Sequence, residues 1–259
     1  MVLPWQSPYR QVEVRGLVWE GNGHHQTSGP VRNADQEFHM VLEAFRTYGY
    51  NVKITQISKD RHKRSELTNF LQAKFDNLVH RSSSTLIILY YQGHGSLDRD
   101  GHLMLTKYGK DLNPRLLGTG QWMYWSDIAN AVISARCDVL TILNCCHAGA
   151  AVTNRHSSRP NYERHLKELI MAVPRNSSTS WGRVENFAAC LEQALRDHRN
   201  NWENGFRGNP SHWVQAINRV MVRKPRGRAS VLHDHLIRPP PNAADRPIIM
   251  SPRRVPWIS

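Results

Sequence analysis

Two short apolar runs constrain the fold of this 259-residue chain more than any other feature of its sequence. They span residues 85–91 (TLIILYY) and 138–143 (DVLTIL), and neither alternates polar with apolar side chains. A strand of this composition is covered on both faces, as in a parallel sheet with helices packed on each side. Residues that leave the carboxyl ends of two such strands lie at one edge of the sheet, where open sheets bind their ligands.

Strand and helix signals alternate along the rest of the chain. The sequence predicts further strands over 11–19, 51–57, 166–173 and 247–252, a short hairpin over 101–106, and helices over 33–48, from Ser65, from Ser126, over 184–198 and over 213–222. Such an order implies right-handed crossovers and helices on both sides of one sheet. We therefore predict an α/β fold, a three-layer sandwich whose sheet has about six mostly parallel strands.

A histidine and a cysteine follow the two apolar runs. His94 lies in the motif YYQGHG (90–95), and Cys146 lies 52 residues later in the motif NCCHAG (144–149). A thiolate is the attacking species in cysteine chemistry, and a free thiol is mostly protonated at neutral pH, so the sulfur needs a base. A histidine on the neighbouring strand end can take that proton or protonate a leaving amine. The two motifs thus predict a cysteine nucleophile with a histidine base.

Glycines surround both motifs. Gly93 and Gly95 leave the backbone near His94 unobstructed, and Gly149 permits a tight turn after the cysteine. We expect the amide groups of Gly95 and Cys146 to point at a developing oxyanion, where each such donor is worth about 2.7–4 kcal/mol.

The neighbours of Cys146 are expected to have other roles. Successive side chains of a strand point to opposite sides, so Cys145 should face the core. It stays the alternative nucleophile if the strand ends one residue earlier. We assign His147 a positioning role, and we expect Cys137 and Cys190 to be buried packing residues.

Taken together, the two motifs resemble those of the caspase-like cysteine peptidases, and most closely the metacaspase branch, in which the cysteine directly before His-Ser/Ala-Gly is the nucleophile. The resemblance implies that His94 and Cys146 form the catalytic dyad and that Gly95 contributes to the oxyanion hole. It also implies the caspase-like fold. Many metacaspases need calcium, which is expected here from the resemblance alone.

The resemblance also suggests how the chain is organised. We expect a single peptidase domain over residues 1–259. It comprises a large-subunit-like part over 10–149, an exposed loop over 150–165 and a small-subunit-like part over 166–259.

One position departs from the metacaspase pattern. Metacaspases carry an aspartate two positions before the nucleophile, where it helps to bind an Arg or Lys side chain, whereas this chain has Asn144. A neutral amide cannot supply that charge, although Asp98 and Asp100 could. Caspases have a glutamine there and recognise Asp. The candidate substrate-binding residues are therefore Asn144, Asp98 and Asp100, and the preference is open between basic, acidic and neutral residues. Our hypothesis is a retained basic preference.

Two other function classes compete with a peptidase. The first is a non-catalytic caspase-like module that serves as a regulatory or scaffold domain in a cell-death or immune pathway; the presence of both His94 and Cys146 argues against it. The second is nucleic-acid binding, because the net charge is +13 and residues 155–228 carry 14 Lys and Arg against 6 Asp and Glu. These basic residues are scattered and no nucleic-acid-binding motif accompanies them, so we expect protein or peptide substrates.

The remaining composition indicates a cytoplasmic protein that does not associate with membranes. No apolar stretch approaches the roughly 18 residues needed to span a bilayer, and the first residues lack the pattern of a secretory signal. Four cysteines, two of them adjacent, make a poor disulfide framework. We predict no metal site, because His24 and His25 lack a third ligand at suitable spacing and the aspartates near 98–111 are dispersed.

Overall fold

In a computed structural model of this protein, six strands of the described residues form one large sheet. The structure describes residues 8–20, 34–57, 69, 73, 83–107, 122–152, 165–179, 186–202, 208–222, 231–236 and 247–253. The strands of this sheet, numbered along the chain, are β1 (Gln11–Trp19), β2 (Asn51–Ile57), β3 (Thr85–Gln92), β7 (Asp138–Asn144), β8 (Lys167–Met171) and β9 (Leu232–His235). Their order is β2-β1-β3-β7-β8-β9, and only β9 is antiparallel to its neighbour. The predicted mostly parallel sheet of about six strands is confirmed.

Helices cover one face of this sheet, and a helix with a second sheet covers the other. The four α-helices of the described residues are α1 (Ala34–Arg46), α2 (Trp125–Ser134), α3 (Phe187–Asn201) and α4 (Pro210–Val222). Helices α1, α3 and α4 pack with Tyr90 and Ile142 in one core, whereas α2 packs with Tyr91 and Leu143 in another. Because both faces are covered, β3 and β7 are buried along their whole length, as their composition predicted. The three-layer sandwich is confirmed.

A small antiparallel sheet follows β3 directly. It consists of β4 (His94–Leu97), β5 (Leu103–Thr106) and β6 (Trp122–Tyr124), with β5 in the middle. The turn between β4 and β5 includes Gly101, whose φ of 79° favours glycine. A hairpin does form in this region, but it pairs His94–Leu97 with Leu103–Thr106, so the predicted span 101–106 supplies only its second strand. The first strand of the hairpin begins at His94 itself.

The prediction of a strand over 247–252 is wrong. Within the described residues, this segment forms only an isolated bridge between Met250 and Gly208, and the sheet edge is β9 instead. Proline cannot donate to a strand ladder, and Pro247 and Pro252 flank the segment. Its apolar residues Ile248 and Met250 are buried without strand pairing, whereas β9 has the polar sequence LHDH and gave no strand signal.

Several other predicted boundaries differ or go untested. Helix α3 ends at Asn201 and not at 198, and helix α4 begins at Pro210 and not at 213. Helix α2 begins at Trp125, one residue before the predicted start. The helix predicted from Ser65 lies outside the described residues apart from Asn69 and Ala73, both helical. Among the helices that the structure describes, none combines the length and apolar character required to cross a membrane.

Candidate active site

The sheet brings His94 and Cys146 to the same edge on adjacent strands. Strands β3 and β7 pair in parallel, and their last rung joins Gln92 to Asn144. Just past this rung the Gly93 N–H donates a hydrogen bond to the Asn144 carbonyl oxygen at 3.3 Å. His94 and Cys146 each follow this last rung by two residues, so both leave the sheet at the same level. Both are partly exposed.

Gly95 explains how closely the two motifs approach. A Cβ atom built at this position would collide with the main-chain carbonyl oxygen of Cys146 and would lie 3.1 Å from the Cys145 sulfur. Glycine is required here by this close approach. Any side chain at position 95 would push the strand that carries His94 away from the turn that carries Cys146.

Tyr91 is a buried residue that bonds to the main chain of His94 and lies near both cysteines. Its hydroxyl donates to the carbonyl oxygen of His94 at 2.9 Å. Burial raises the pKa of Tyr91 well above its ordinary value, and the neighbouring thiols of Cys145 and Cys146 add to the effect. The phenol therefore stays neutral and serves as a fixed donor. Sequence reasoning gave Tyr91 no role, since its position in the apolar run looked like core.

The two adjacent cysteines occupy different environments. Cys145 is fully buried with Leu143 in the core on the α2 side, which agrees with the expectation that it faces the core. Burial strongly raises the pKa of the Cys145 thiol, and the nearby Cys146 raises it further. A buried thiol of this kind is inert. Cys137 and Cys190 are also buried, as expected, and none of the four cysteines forms a disulfide.

Thr179 contacts the sulfur of Cys146. The main-chain N–H of Thr179 donates to Sγ at 3.3 Å, and the Thr179 hydroxyl oxygen lies 3.7 Å from the same atom. Thr179 follows β8, the strand beside β7, so its segment leaves the sheet at the same edge as the two motifs. The strand-end rule that identified His94 and Cys146 applies equally to this third strand, and it could have drawn attention to residues 172–179.

His147 is turned towards this same segment. It has a positive φ of 58°, and its main-chain N–H donates to the Ser177 carbonyl oxygen at 2.8 Å. Its ring Nδ1 lies 2.7 Å from the carbonyl oxygen of Arg175. A carbonyl oxygen can only accept, so Nδ1 carries the hydrogen. These bonds are those of a residue that fixes the turn after Cys146.

Asn144 is anchored in a buried polar cluster at the sheet edge. It is 3% exposed, and its Nδ2 lies 3.2 Å from Gln92 Oε1 and 3.4 Å from the Tyr90 hydroxyl. Gln92 in turn donates to the carbonyl oxygen of Ala34 at 2.6 Å. The amide of Asn144 thus faces the side of the sheet that α1 covers.

A carboxylate that sequence reasoning missed belongs to this cluster. Glu37 of α1 is 1% exposed and accepts a hydrogen bond from Asn186, the N-cap of α3. Burial raises the pKa of Tyr90, a bond from Asn144 opposes the rise, and the charge of Glu37 adds to it. The available signal was an acidic residue on the apolar stripe of α1, four positions before the buried Val41.

Asp98 and Asp100 lie in the turn between β4 and β5. Asp98 Oδ1 accepts the main-chain N–H groups of Asp100 at 3.0 Å and of His102 at 2.7 Å. Partial burial works to raise the pKa of Asp98, but the bonds from His102 and Tyr124 outweigh it and hold this pKa below its usual value. Asp98 therefore shapes its own turn, whereas Asp100 is exposed. The structure gives neither residue a contact with Cys146.

The same turn holds the one group of potential metal ligands among the described residues. Ligand atoms of Asp98, Asp100 and His102 lie within 4.8 Å of one another. Calcium takes six to eight oxygen ligands. One of the three groups is an imidazole, and an oxygen of Asp98 is already bound by two amides, so these residues do not fit a calcium site.

Comparisons with known proteins identify the fold and the family. The chain is similar to the crystal structure of caspase-1 from Spodoptera frugiperda, with a TM-score of 0.56 and 10% identity over 92% of each chain. It is also similar to protein GSU0716 from Geobacter sulfurreducens, with a TM-score of 0.53 and 14% identity over 90% of this chain and 96% of that one. No curated protein sequence matches it. The sequence model of the caspase domain matches residues 21–204, more than half of the chain, and the chain therefore belongs to the caspase domain family.

Proposed function

We propose that this protein is a cysteine endopeptidase of the metacaspase type in which Cys146 is the nucleophile and His94 the general base and acid. The observation that carries the proposal is the close packing of Gly95 against the Cys146 carbonyl group, which holds the two motifs together at one sheet edge. Membership of the caspase domain family supports the same chemistry. Substrates are proteins or peptides.

The reaction follows from these two groups. His94 takes the thiol proton of Cys146, and the thiolate attacks the carbonyl carbon of the scissile bond. Amide groups of Gly95 and Cys146 stabilise the oxyanion, and the protonated imidazole then gives its proton to the departing amine. Water hydrolyses the resulting thioester and regenerates the free thiol.

The specificity that we propose is for basic residues before the scissile bond. Asn144 provides a neutral wall to the side-chain pocket, with Asp98 and Asp100 as further binding residues. The buried carboxyl group of Glu37 supports this assignment, because in its ionised form it acts electrostatically on Tyr90, whose hydroxyl lies 3.4 Å from Asn144 Nδ2. A charge in a poorly hydrated site acts over a longer range than one in water.

A labelling experiment tests the nucleophile. A thiol-reactive peptide probe is applied to the unmodified protein, to Cys146→Ala and to Cys145→Ala, which is the matched control one residue away. We expect labelling to disappear only in Cys146→Ala, with peptide hydrolysis lost in both Cys146→Ala and His94→Ala. Labelling that survives in Cys146→Ala would contradict the assignment. Absence of labelling and of turnover in the unmodified protein would favour the regulatory or scaffold module.

A panel of fluorogenic peptides ending in Arg, Lys, Asp or Asn tests the specificity. We expect turnover of the Arg and Lys peptides to exceed that of the other two. Turnover confined to the Asp peptide would overturn the basic preference without affecting the assignment of the nucleophile.

We also propose that the enzyme works in the cytoplasm. None of the four cysteines forms a disulfide in the structure, and a reducing compartment keeps a catalytic thiol reduced. Fractionation of cells that express the tagged protein tests this location, which recovery in a secreted fraction would contradict.

A further inference from the structure

We propose that Thr179 is a positioning residue for the nucleophile, and that its main-chain N–H stabilises the Cys146 thiolate that forms when His94 takes the thiol proton. This inference rests on the proposed function, since it assigns Thr179 a role in activating the same sulfur. It concerns a residue outside both sequence motifs and 33 positions beyond the cysteine.

The distances around Cys146 Sγ indicate that the main-chain N–H of Thr179, and not its hydroxyl, stabilises the sulfur. The N–H of Thr179 donates to Sγ at 3.3 Å, the shortest of the three contacts between Thr179 and this sulfur. The hydroxyl oxygen lies farther away at 3.7 Å, and the Thr179 carbonyl oxygen lies 4.0 Å from Sγ. A main-chain N–H can only donate, so its bond becomes stronger when the sulfur is negative.

The segment that carries Thr179 is fixed to the turn after Cys146. His147 bonds to the carbonyl groups of Ser177 and Arg175, and the Gly149 N–H donates to the Val173 carbonyl oxygen at 2.9 Å. A Cβ atom at Gly149 would lie only 2.5 Å from the Arg175 nitrogen, so the two main chains are in direct contact. The donor is therefore in place before any substrate binds.

This arrangement gives the bond a defined effect on the reaction. A donor at the sulfur increases the fraction of thiolate at neutral pH, and the thiolate is the form that attacks. When the new carbon–sulfur bond forms, the negative charge moves from the sulfur to the oxyanion. The contribution of Thr179 is thus made in the free enzyme, and it should appear in the pH dependence of thiol reactivity and not in KM.

The test measures the rate of Cys146 alkylation by iodoacetamide as a function of pH, with the modified peptide identified by mass spectrometry. Thr179→Pro removes the N–H, and Ser178→Pro is the matched control at the exposed neighbouring position. We expect the midpoint of the profile to rise by about one pH unit in Thr179→Pro, since a donor to a charged group is worth roughly a tenfold change in equilibrium. The midpoint should stay unchanged in Ser178→Pro and in Thr179→Val, which keeps the N–H.

Equal profiles for Thr179→Pro and the unmodified protein would overturn the inference, as would an equal shift in Ser178→Pro or Thr179→Val. A second measurement avoids the risk that a proline variant does not fold. In the unmodified protein, the amide proton resonance of Thr179 should move with pH in step with the alkylation profile, while that of Ser178 should not. Alkylation that persists at position 145 in Cys146→Ala would instead contradict the proposed nucleophile, so the two failures are distinguishable.

Discussion

The hydroxyl of Tyr91 donates a hydrogen bond to the main-chain carbonyl oxygen of His94 at 2.9 Å. The bond crosses the bend at Gly93, where the chain passes from β3 in the large sheet to β4 in the small one. The hydroxyl of the buried Tyr91 thus fixes the position of His94, the first residue of β4 and the proposed base.

Removing this bond should reduce activity more than it reduces stability. We expect Tyr91→Phe to lower kcat/KM about tenfold, because the loss of one buried hydrogen bond costs about 1 kcal/mol and lets the histidine strand shift. Tyr50→Phe is the matched control, since Tyr50 donates to the Ser251 carbonyl oxygen at 3.0 Å. Tyr50→Phe should lower the denaturant midpoint of unfolding about as much as Tyr91→Phe does, but it should leave turnover unchanged. Equal kinetic losses in both variants would show that Tyr91 acts only through stability.

Gly95→Ala should abolish most of the activity. The new methyl group would overlap the main-chain carbonyl oxygen of Cys146, so the two motifs must move apart to accommodate it. Overpacking of this kind costs about 1–3 kcal/mol of stability, and displacement of a proposed base by about 1 Å lowers the rate roughly 100-fold. Steady-state kinetics on Gly95→Ala and on the neighbouring Ser96→Ala measure the effect. Full activity in Gly95→Ala would contradict the close packing.

Glu37→Gln should weaken the preference for basic substrates. Loss of the buried charge is expected to lower kcat/KM for an Arg-ending peptide about tenfold relative to an Asn-ending peptide of the same sequence. Glu43→Gln, an exposed change on the same helix, is the control and should leave the ratio as it is. An unchanged ratio in Glu37→Gln would show that Glu37 does not contribute to substrate preference and has only a structural role, through its bond with Asn186.

Lys167 provides a prediction about pH and stability. Burial lowers its pKa to about 8, although its ammonium group donates to the carbonyl oxygen of Ala135 at 2.9 Å. Between about pH 8 and the ordinary value of 10.5, the unfolded chain binds more protons at this residue than the folded chain does. The free energy of unfolding should therefore rise with pH in this range, relative to Lys167→Met. Chemical denaturation at pH 7.5, 9 and 10.5 checks the difference, and parallel pH profiles for the two proteins would contradict it.

The central part of the fold followed from the sequence because burial on both faces leaves a direct signature. The runs 85–91 and 138–143 are apolar without interruption, and they form the adjacent strands β3 and β7. The edge strand β9 is half exposed and carries two histidines and an aspartate, so its pairing depends on contacts with β8 that no local pattern encodes.

The candidate site shows the same division between local and distant information. His94 and Cys146 stand in compact motifs beside glycines, which made them visible. Thr179 and Glu37 come to the site from segments 33 and more than 100 residues away from Cys146, and only the order of strands and helices brings them there. A side chain whose role depends on such tertiary neighbours cannot be recognised from its own sequence context.

The contact between Gly95 and the Cys146 carbonyl group has a consequence for engineering. The close approach of the two motifs at position 95 is between main chains, so the side chains of the β4–β5 turn, which take no part in this contact, can be exchanged without altering it. Replacing the β4–β5 turn to change substrate preference should therefore be tolerated, provided that residue 95 remains glycine.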